Sequence, residues 1–182
     1  MSDKKYEFVP GDEKTIAPGR TVKRIRLLVA IAAFGLPSGS LGGYIESKEC
    51  LSQSGNAWVS GDARVFGNAQ VFGDAQVFGN AQVFGDAQVF GDAQVSGDAE
   101  VSGDAQVSGD ASIVWVSKVG RDNGTLTVFT GKDGDLIATR GCFIGTIDEF
   151  LAQSEKVHDD RTHLEYRMLI EVAHSRITRS AS

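Results

Sequence analysis

The chain has 182 residues, a formal net charge of −6 and 41% hydrophobic residues, enough for one or two domains with a packed core. Its 22 glycines exclude an ordinary helical fold. The charge is uneven: residues 54–113 hold seven Asp, one Glu and one Arg, a sum of −7, and the remainder sums to about +1, which speaks against direct binding to nucleic acid.

From the N-terminus, Lys5-Tyr6-Glu7-Phe8-Val9 reads as a strand, followed by a turn-rich stretch through Pro18-Gly19. Thr21–Ile31 reads as a second strand, with Ile25, Leu27, Val29 and Ile31 on one face and Arg24 and Arg26 on the other. Arg20, Lys23, Arg24 and Arg26 form a basic cluster, read as a solvated strand face or a site for an acidic partner. The apolar run Leu27–Phe34 is far short of the ~20 residues a membrane span needs. It also begins too late for a signal peptide. Cys50 and Cys142 have no metal-ligand spacing and read as free, buried thiols in a reducing compartment. The expectation is a soluble cytoplasmic protein without a membrane partner.

The middle third is a repeat. Gly55-Asn56-Ala57-Trp58-Val59-Ser60 opens ten uninterrupted hexads, of which GDAQVF is typical. Valine recurs at every sixth position from Val59 to Val107, and Ile113 takes the next place. Ala-Gln-Val-Phe alternates inward and outward residues with the period of a strand. Gly followed by Asn or Asp supplies a corner that tolerates positive φ. One such strand cannot bury its Val and Ala alone, so three hexads must close a triangular coil of 18 residues. Successive coils then stack as parallel strands about 4.8 Å apart. A glycine with Asp or Asn every six residues would break any α-helix.

This hexad resembles that of the hexapeptide-repeat superfamily, whose members are left-handed parallel β-helices and often acyltransferases. The resemblance implies the left hand; periodicity alone does not supply it. The expected fold is mainly β: a left-handed parallel β-helix of about three coils over 54–113. A small β-rich segment, 1–53, precedes it and an α+β cap, 114–182, follows.

Residues 18 apart stack in columns, so the outer surface is legible. The residue after each valine points outward: Phe66 over Phe84 then Ser102, Phe72 over Phe90 then Ser108, and Phe78 between Ser60 and Ser96. Five exposed phenylalanines would be sticky, since burying one is worth ~1.5–3 kcal/mol. They are the expected partner or oligomer interface. Homotrimers are common among the resembled proteins, and a homodimer or homotrimer is expected here. The corners form acidic columns: Asp74, Asp92 and Asp110; Asp62, Asn80 and Asp98; Asn68, Asp86 and Asp104. They read as solvated turn residues, with a cation ladder or a nucleic-acid decoy as sharper alternatives.

After Ile113 the pattern changes. Val114-Trp115-Val116 continues as a strand, Arg121–Gly124 turns, Thr125–Thr130 is a strand, Lys132-Asp133-Gly134 turns, and Leu136–Thr139 is a further strand. Thr146-Ile147-Asp148-Glu149 is a capping box opening a helix. A longer helix over about Asp160–Ile177 has its apolar stripe at Leu164, Met168 and Val172, with Leu169 and Ala173. This tail is expected to cap the coil.

Leu41-Gly42-Gly43-Tyr44-Ile45-Glu46-Ser47, then Leu51 through Val59, resembles the segment entering the coil in a bacterial and prophage family of hexapeptide-repeat proteins. Its members are labelled transferases or polymer-forming proteins. Gly124-Thr125-Leu126-Thr127 and Gly141 through Phe150 resemble the tail of its prophage members. The resemblance implies a phage-type origin and carries no reaction. Hexapeptide acyltransferases use a histidine near the coil and loops that interrupt it; this coil has neither. His158, His163 and His174 lie in the tail, the last two ~16 Å apart on one helix, too far to share a metal. No catalytic, cofactor-binding or metal residues are assigned and no cofactor is expected. The functional expectation is a non-catalytic protein-binding or self-assembling module that binds a host protein as a defence antagonist, with an acyltransferase as the alternative.

Overall fold

The computed structural model describes residues 4–109 and 112–179. Asp110, expected at the foot of one acidic column, lies outside the described residues. Strands β1 (Tyr6–Ala17) and β2 (Arg20–Leu27) form an antiparallel hairpin, and β2 pairs with β3 (Leu41–Ile45). The stretch read as turns is therefore the continuation of β1, with a register shift between Phe8 and Glu13 where Gly11 adopts φ +79°. The second strand stops at Leu27. Val29, expected on the buried face, is exposed, while Ile31 is buried beyond a break in the strand.

Each hexad then contributes one two-residue strand, its Gln-Val or equivalent pair. These are β4 (Trp58–Val59), β5 (Arg64–Val65), β6 (Gln70–Val71), β7 (Gln76–Val77), β8 (Gln82–Val83), β9 (Gln88–Val89), β10 (Gln94–Val95), β11 (Glu100–Val101) and β12 (Gln106–Val107). They stack in three parallel columns, β3-β5-β8-β11, β4-β7-β10 and β6-β9-β12. In each column of the repeat valine pairs with valine: Val59 with Val77 with Val95, Val65 with Val83 with Val101, and Val71 with Val89 with Val107. All nine repeat valines and the matching alanines are buried, in one continuous core.

The solenoid is taller than the hexads alone imply. Tyr44 and Ile45 of β3 pair in parallel with Arg64 and Val65, and Leu51 bridges to Val71. The lead-in thus makes a further rung, giving about four turns where about three were expected. Gly42 and Gly43 allow this approach: a Cβ at Gly42 would lie 2.5 Å from Ile25 and 2.8 Å from Trp58 and from the Val59 carbonyl, and one at Gly43 2.7 Å from the Ala63 carbonyl. The corner glycines answer two demands. Gly85 has φ +75°, and an added Cβ would sit 2.9 Å from the backbone of Gly103 in the next coil.

Both ends are closed. At the head, the Lys5 ammonium donates to the carbonyls of Ala57 at 2.8 Å, Gly55 at 3.4 Å and Ser54 at 3.5 Å. Burial pulls the Lys5 pKa down to about 8. At the base, Thr127 accepts from the Glu100 N–H at 3.1 Å and Thr139 donates to the Glu100 carbonyl at 2.8 Å. Phe129 is fully buried in the solenoid core as a plug.

Those threonines belong to an antiparallel sheet of β13 (Ile113–Val119), β14 (Gly124–Thr130), β15 (Leu136–Arg140) and β16 (Phe143–Thr146). The last of these was not foreseen. Helix α1 (Ile147–Val157) begins with the expected box: Thr146 Oγ1 accepts from Glu149 N at 3.2 Å, and Glu149 accepts from Thr146 N at 2.8 Å. Helix α2 (Asp160–Arg179) lies on the sheet through Tyr166, Ile170, Ala173 and Ile177. The stripe read from the sequence is corrected here. Leu164, Met168 and Val172 face outward, 43%, 52% and 52% exposed, while Ala173 is buried and Leu169 partly so. Both stripes have helical spacing, and the sheet selects the one carrying the aromatic ring.

Candidate functional site

The outer surface of the solenoid has the predicted columns. Phe66 lies on Phe84 with ring centroids 5.0 Å apart and an interplanar angle of 1°; Phe72 lies on Phe90 at 5.1 Å and 2°. All five repeat phenylalanines, Phe78 included, are half-buried. The stack itself explains much of this cover, because each ring hides one face of its neighbour at the spacing of the coils. Toward the base the column residues are serines. Ser102 is buried under the C-terminal sheet and Ser108 is exposed.

The corner residues interlock. Asn56 donates to Asp74 at 2.8 Å, Asn68 to Asp86 at 2.9 Å and Asn80 to Asp98 at 3.0 Å, each pair 18 residues apart. The alternation of Asn and Asp therefore has a physical reason: an amide beside a carboxylate replaces a like-charge contact by a hydrogen bond. Asp92 and Asp104 lie one coil below Asp74 and Asp86 and remain exposed.

The N-terminal hairpin applies its basic cluster to this surface. Lys14 pairs with Asp62 at 2.7 Å, holding that carboxyl below its usual range, and Arg24 reaches the same carboxylate at 3.8 Å. Arg24 also pairs with Asp12 at 2.8 Å, and it and Lys14 lie over the Tyr44 ring at 4.4 and 4.1 Å. Arg20 pairs with Glu46 at 3.3 Å and stands 5.5 Å from the Phe66 ring, at the head of that stack. Arg26 pairs with Glu7 and Lys23 lies 5.9 Å from the Phe8 ring. The cluster thus finds its acidic and aromatic partners within the chain.

Two clefts flank the base, both assembled from residues too far apart in sequence for any local pattern to announce them. One, of about 1060 Å³, lies between the solenoid foot and the C-terminal domain; Asp92, Ser108, Asp135, Asp148, His174 and Thr178 are among its walls. The other, of about 380 Å³, is lined by Arg64, Gln82, Asp98, Glu100 and Arg140 among others. Burial raises the Glu100 pKa, an effect that the Arg140 charge opposes, and Gln82 donates to Glu100 at 3.3 Å. Arg140 lies across Gly124, where an added Cβ would meet its guanidinium at 2.3 Å, and donates to the Val119 carbonyl at 3.2 Å.

The other histidines sit in helical surroundings: the His163 ring is 3.3 Å from the Ser154 hydroxyl and the His158 ring 5.5 Å from that of Tyr166. Among the described residues no group of three or more His, Cys, Asp or Glu is placed to hold a metal. Cys50 is buried, whereas Cys142, expected to be buried, is exposed. Among the described residues no helix is long and apolar enough to cross a membrane.

A family model described as the YdcK beta solenoid repeat matches residues 93–109, about one coil of the chain. No curated protein and no solved structure matches. With the stacked registers, that match identifies a β-solenoid repeat protein.

Proposed function

We propose that this chain is a non-catalytic binding module of phage or prophage type, which holds a host protein against the corners of its solenoid and thereby antagonises a host defence. The carrying observation is the pair of phenylalanine stacks, Phe66–Phe84 and Phe72–Phe90, standing half-exposed on a rigid scaffold. The head and base of the solenoid are covered by the chain's own N- and C-terminal segments, so its sides are what it offers. Aromatic rings held in fixed positions lose little entropy on contact and are the usual anchors of an interface. The phage-type label rests on the lead-in and tail segments that resemble prophage hexapeptide-repeat proteins. Action would be in the cytoplasm of the bacterial host, with a homodimer or homotrimer as the assembly.

The test is affinity capture from a bacterial lysate by the native chain and by a variant with Phe72→Ser and Phe90→Ser, alongside sedimentation of both. Capture or self-association that depends on the rings supports the reading. Equal behaviour of the two proteins, with the native chain monomeric, rejects it. An acyltransferase is the second reading, favoured by the position of His174 in the large cleft at the solenoid foot. Calorimetry with acetyl-coenzyme A decides for or against it.

A further inference from the structure

The three edges of the solenoid share their Gly-Asp or Gly-Asn corners but are partnered differently. At the edge after β5 and β8, the Phe66–Phe84 stack receives Arg20, whose guanidinium stands over Phe66 and pairs with Glu46. At the edge after β4 and β7, Asp62 receives Lys14 and Arg24. In each case a cation from the N-terminal hairpin meets a carboxylate, and an aromatic ring, Phe66 or Tyr44, lies under the same cation. The third edge, after β6 and β9, has the same equipment. Phe72 and Phe90 are stacked, and Asp74 and Asp92 follow them two residues on. Asp74 accepts from the Asn56 amide, and the hairpin cations Lys14, Arg20, Lys23, Arg24 and Arg26 are engaged elsewhere, on Asp62, Glu46, the Phe8 ring, Asp12 and Glu7.

We infer that the Phe72–Phe90 and Asp74–Asp92 edge is the docking surface for an arginine-bearing segment of a partner protein. The inference rests on the binding-module reading and adds the chemistry of the partner. An arginine is favoured over a lysine because its planar guanidinium can lie on a ring and still direct N–H groups to a carboxylate beside it. The coil repeat places the two rings 5.1 Å apart. The backbone beside them is bordered by Gln70, Gln88 and Gln106, whose amides can bond to a peptide laid alongside. A second copy of this chain could not offer the arginines of its own hairpin, because Arg20, Arg24 and Arg26 are paired within the chain; its other arginines make that copy an outcome for sedimentation to decide.

The probe is a fluorescein-labelled peptide of alternating Gly, Ser and Arg, with a lysine counterpart, titrated by anisotropy at physiological salt. The repeat's own vocabulary supplies substitutions that keep the fold. Ser follows the valine at Ser96 and Ser108, and Asn holds the corner at Asn68 and Asn80. The arginine peptide is expected to bind the native chain at least tenfold tighter than the lysine peptide. Phe72→Ser with Phe90→Ser, and separately Asp74→Asn with Asp92→Asn, should each weaken it about tenfold. Asp86→Asn with Asp104→Asn, which removes the same charge from a neighbouring corner column, should change it less than threefold.

Equal losses in both sets of variants, or no preference for arginine, overturn the inference, since they mean diffuse attraction to an acidic solenoid. A dimer in sedimentation that Phe72→Ser with Phe90→Ser dissolves also overturns it, by making the second copy the occupant. Lysate capture that needs the rings while the peptides fail to discriminate removes the cationic partner and leaves the binding-module reading standing.

Discussion

Val71→Ala tests the packing on which every column depends. Val71 is 1% exposed and lies between Leu51 above and Val89 below, so its methyl groups have neighbours on both sides. Removing two methyl groups forfeits about 1.6 kcal/mol of transfer free energy. A residual void on the order of 40 Å³, in stacked coils that cannot collapse independently, adds about 1 kcal/mol. The expected loss is therefore ~2–3 kcal/mol. Gln70→Ala is the control from the same strand, since Gln70 is exposed and its loss should lie within ~0.5 kcal/mol. Urea unfolding followed by circular dichroism and by fluorescence of the buried Trp58 measures both. Equal effects of the two substitutions, or a Val71→Ala loss under ~1 kcal/mol, would refute a dry, close-packed interior with valine at every sixth place.

Three further outcomes are expected. Asn80→Asp replaces the hydrogen bond to Asp98 by a carboxylate set between Asp62 and Asp98; the urea midpoint should fall at low salt and largely recover in 1 M NaCl, whereas a salt-independent loss would point to altered turn geometry instead. Lys5, with a folded pKa of about 8 against 10.5 for the free group, binds fewer protons folded than unfolded between those values. Stability should be flat below pH 8 and rise toward pH 10. Tyr6, whose pKa burial raises, binds more protons folded than unfolded above pH 10 and reverses the trend there. Denaturation midpoints from pH 7 to 10.5 check the sign, and Lys5→Met should abolish the rise. Met168→Lys on the outward stripe of α2 should change stability by less than ~0.5 kcal/mol, whereas Ile170→Ala, beneath the same helix, should cost ~2–4 kcal/mol. The reverse order in thermal melts would restore the stripe read from the sequence.

The hexads alone determined the stacked coils, the buried valines and alanines, the outward phenylalanines and the acidic corners. With a period of six and three repeats per coil, positions 18 apart must lie over one another, so local pattern and tertiary contact are the same information. The capping box at Thr146 and Glu149 was equally legible, being complete within four residues. What only the tertiary structure decided lies where contacts are distant in sequence. Leu41–Ile45 joins the solenoid as an extra rung because Gly42 and Gly43 admit Ile25 and Trp58, which no periodicity reports. The basic cluster is spent on Asp12, Asp62, Glu46 and Glu7, a pairing fixed by how the hairpin lies on the coil. In α2 two stripes share the helical period, and the C-terminal sheet chose between them by burying Tyr166 and Ile170. A repeat states its own neighbours, whereas an edge, a cap or a helix face acquires its meaning from whatever packs against it.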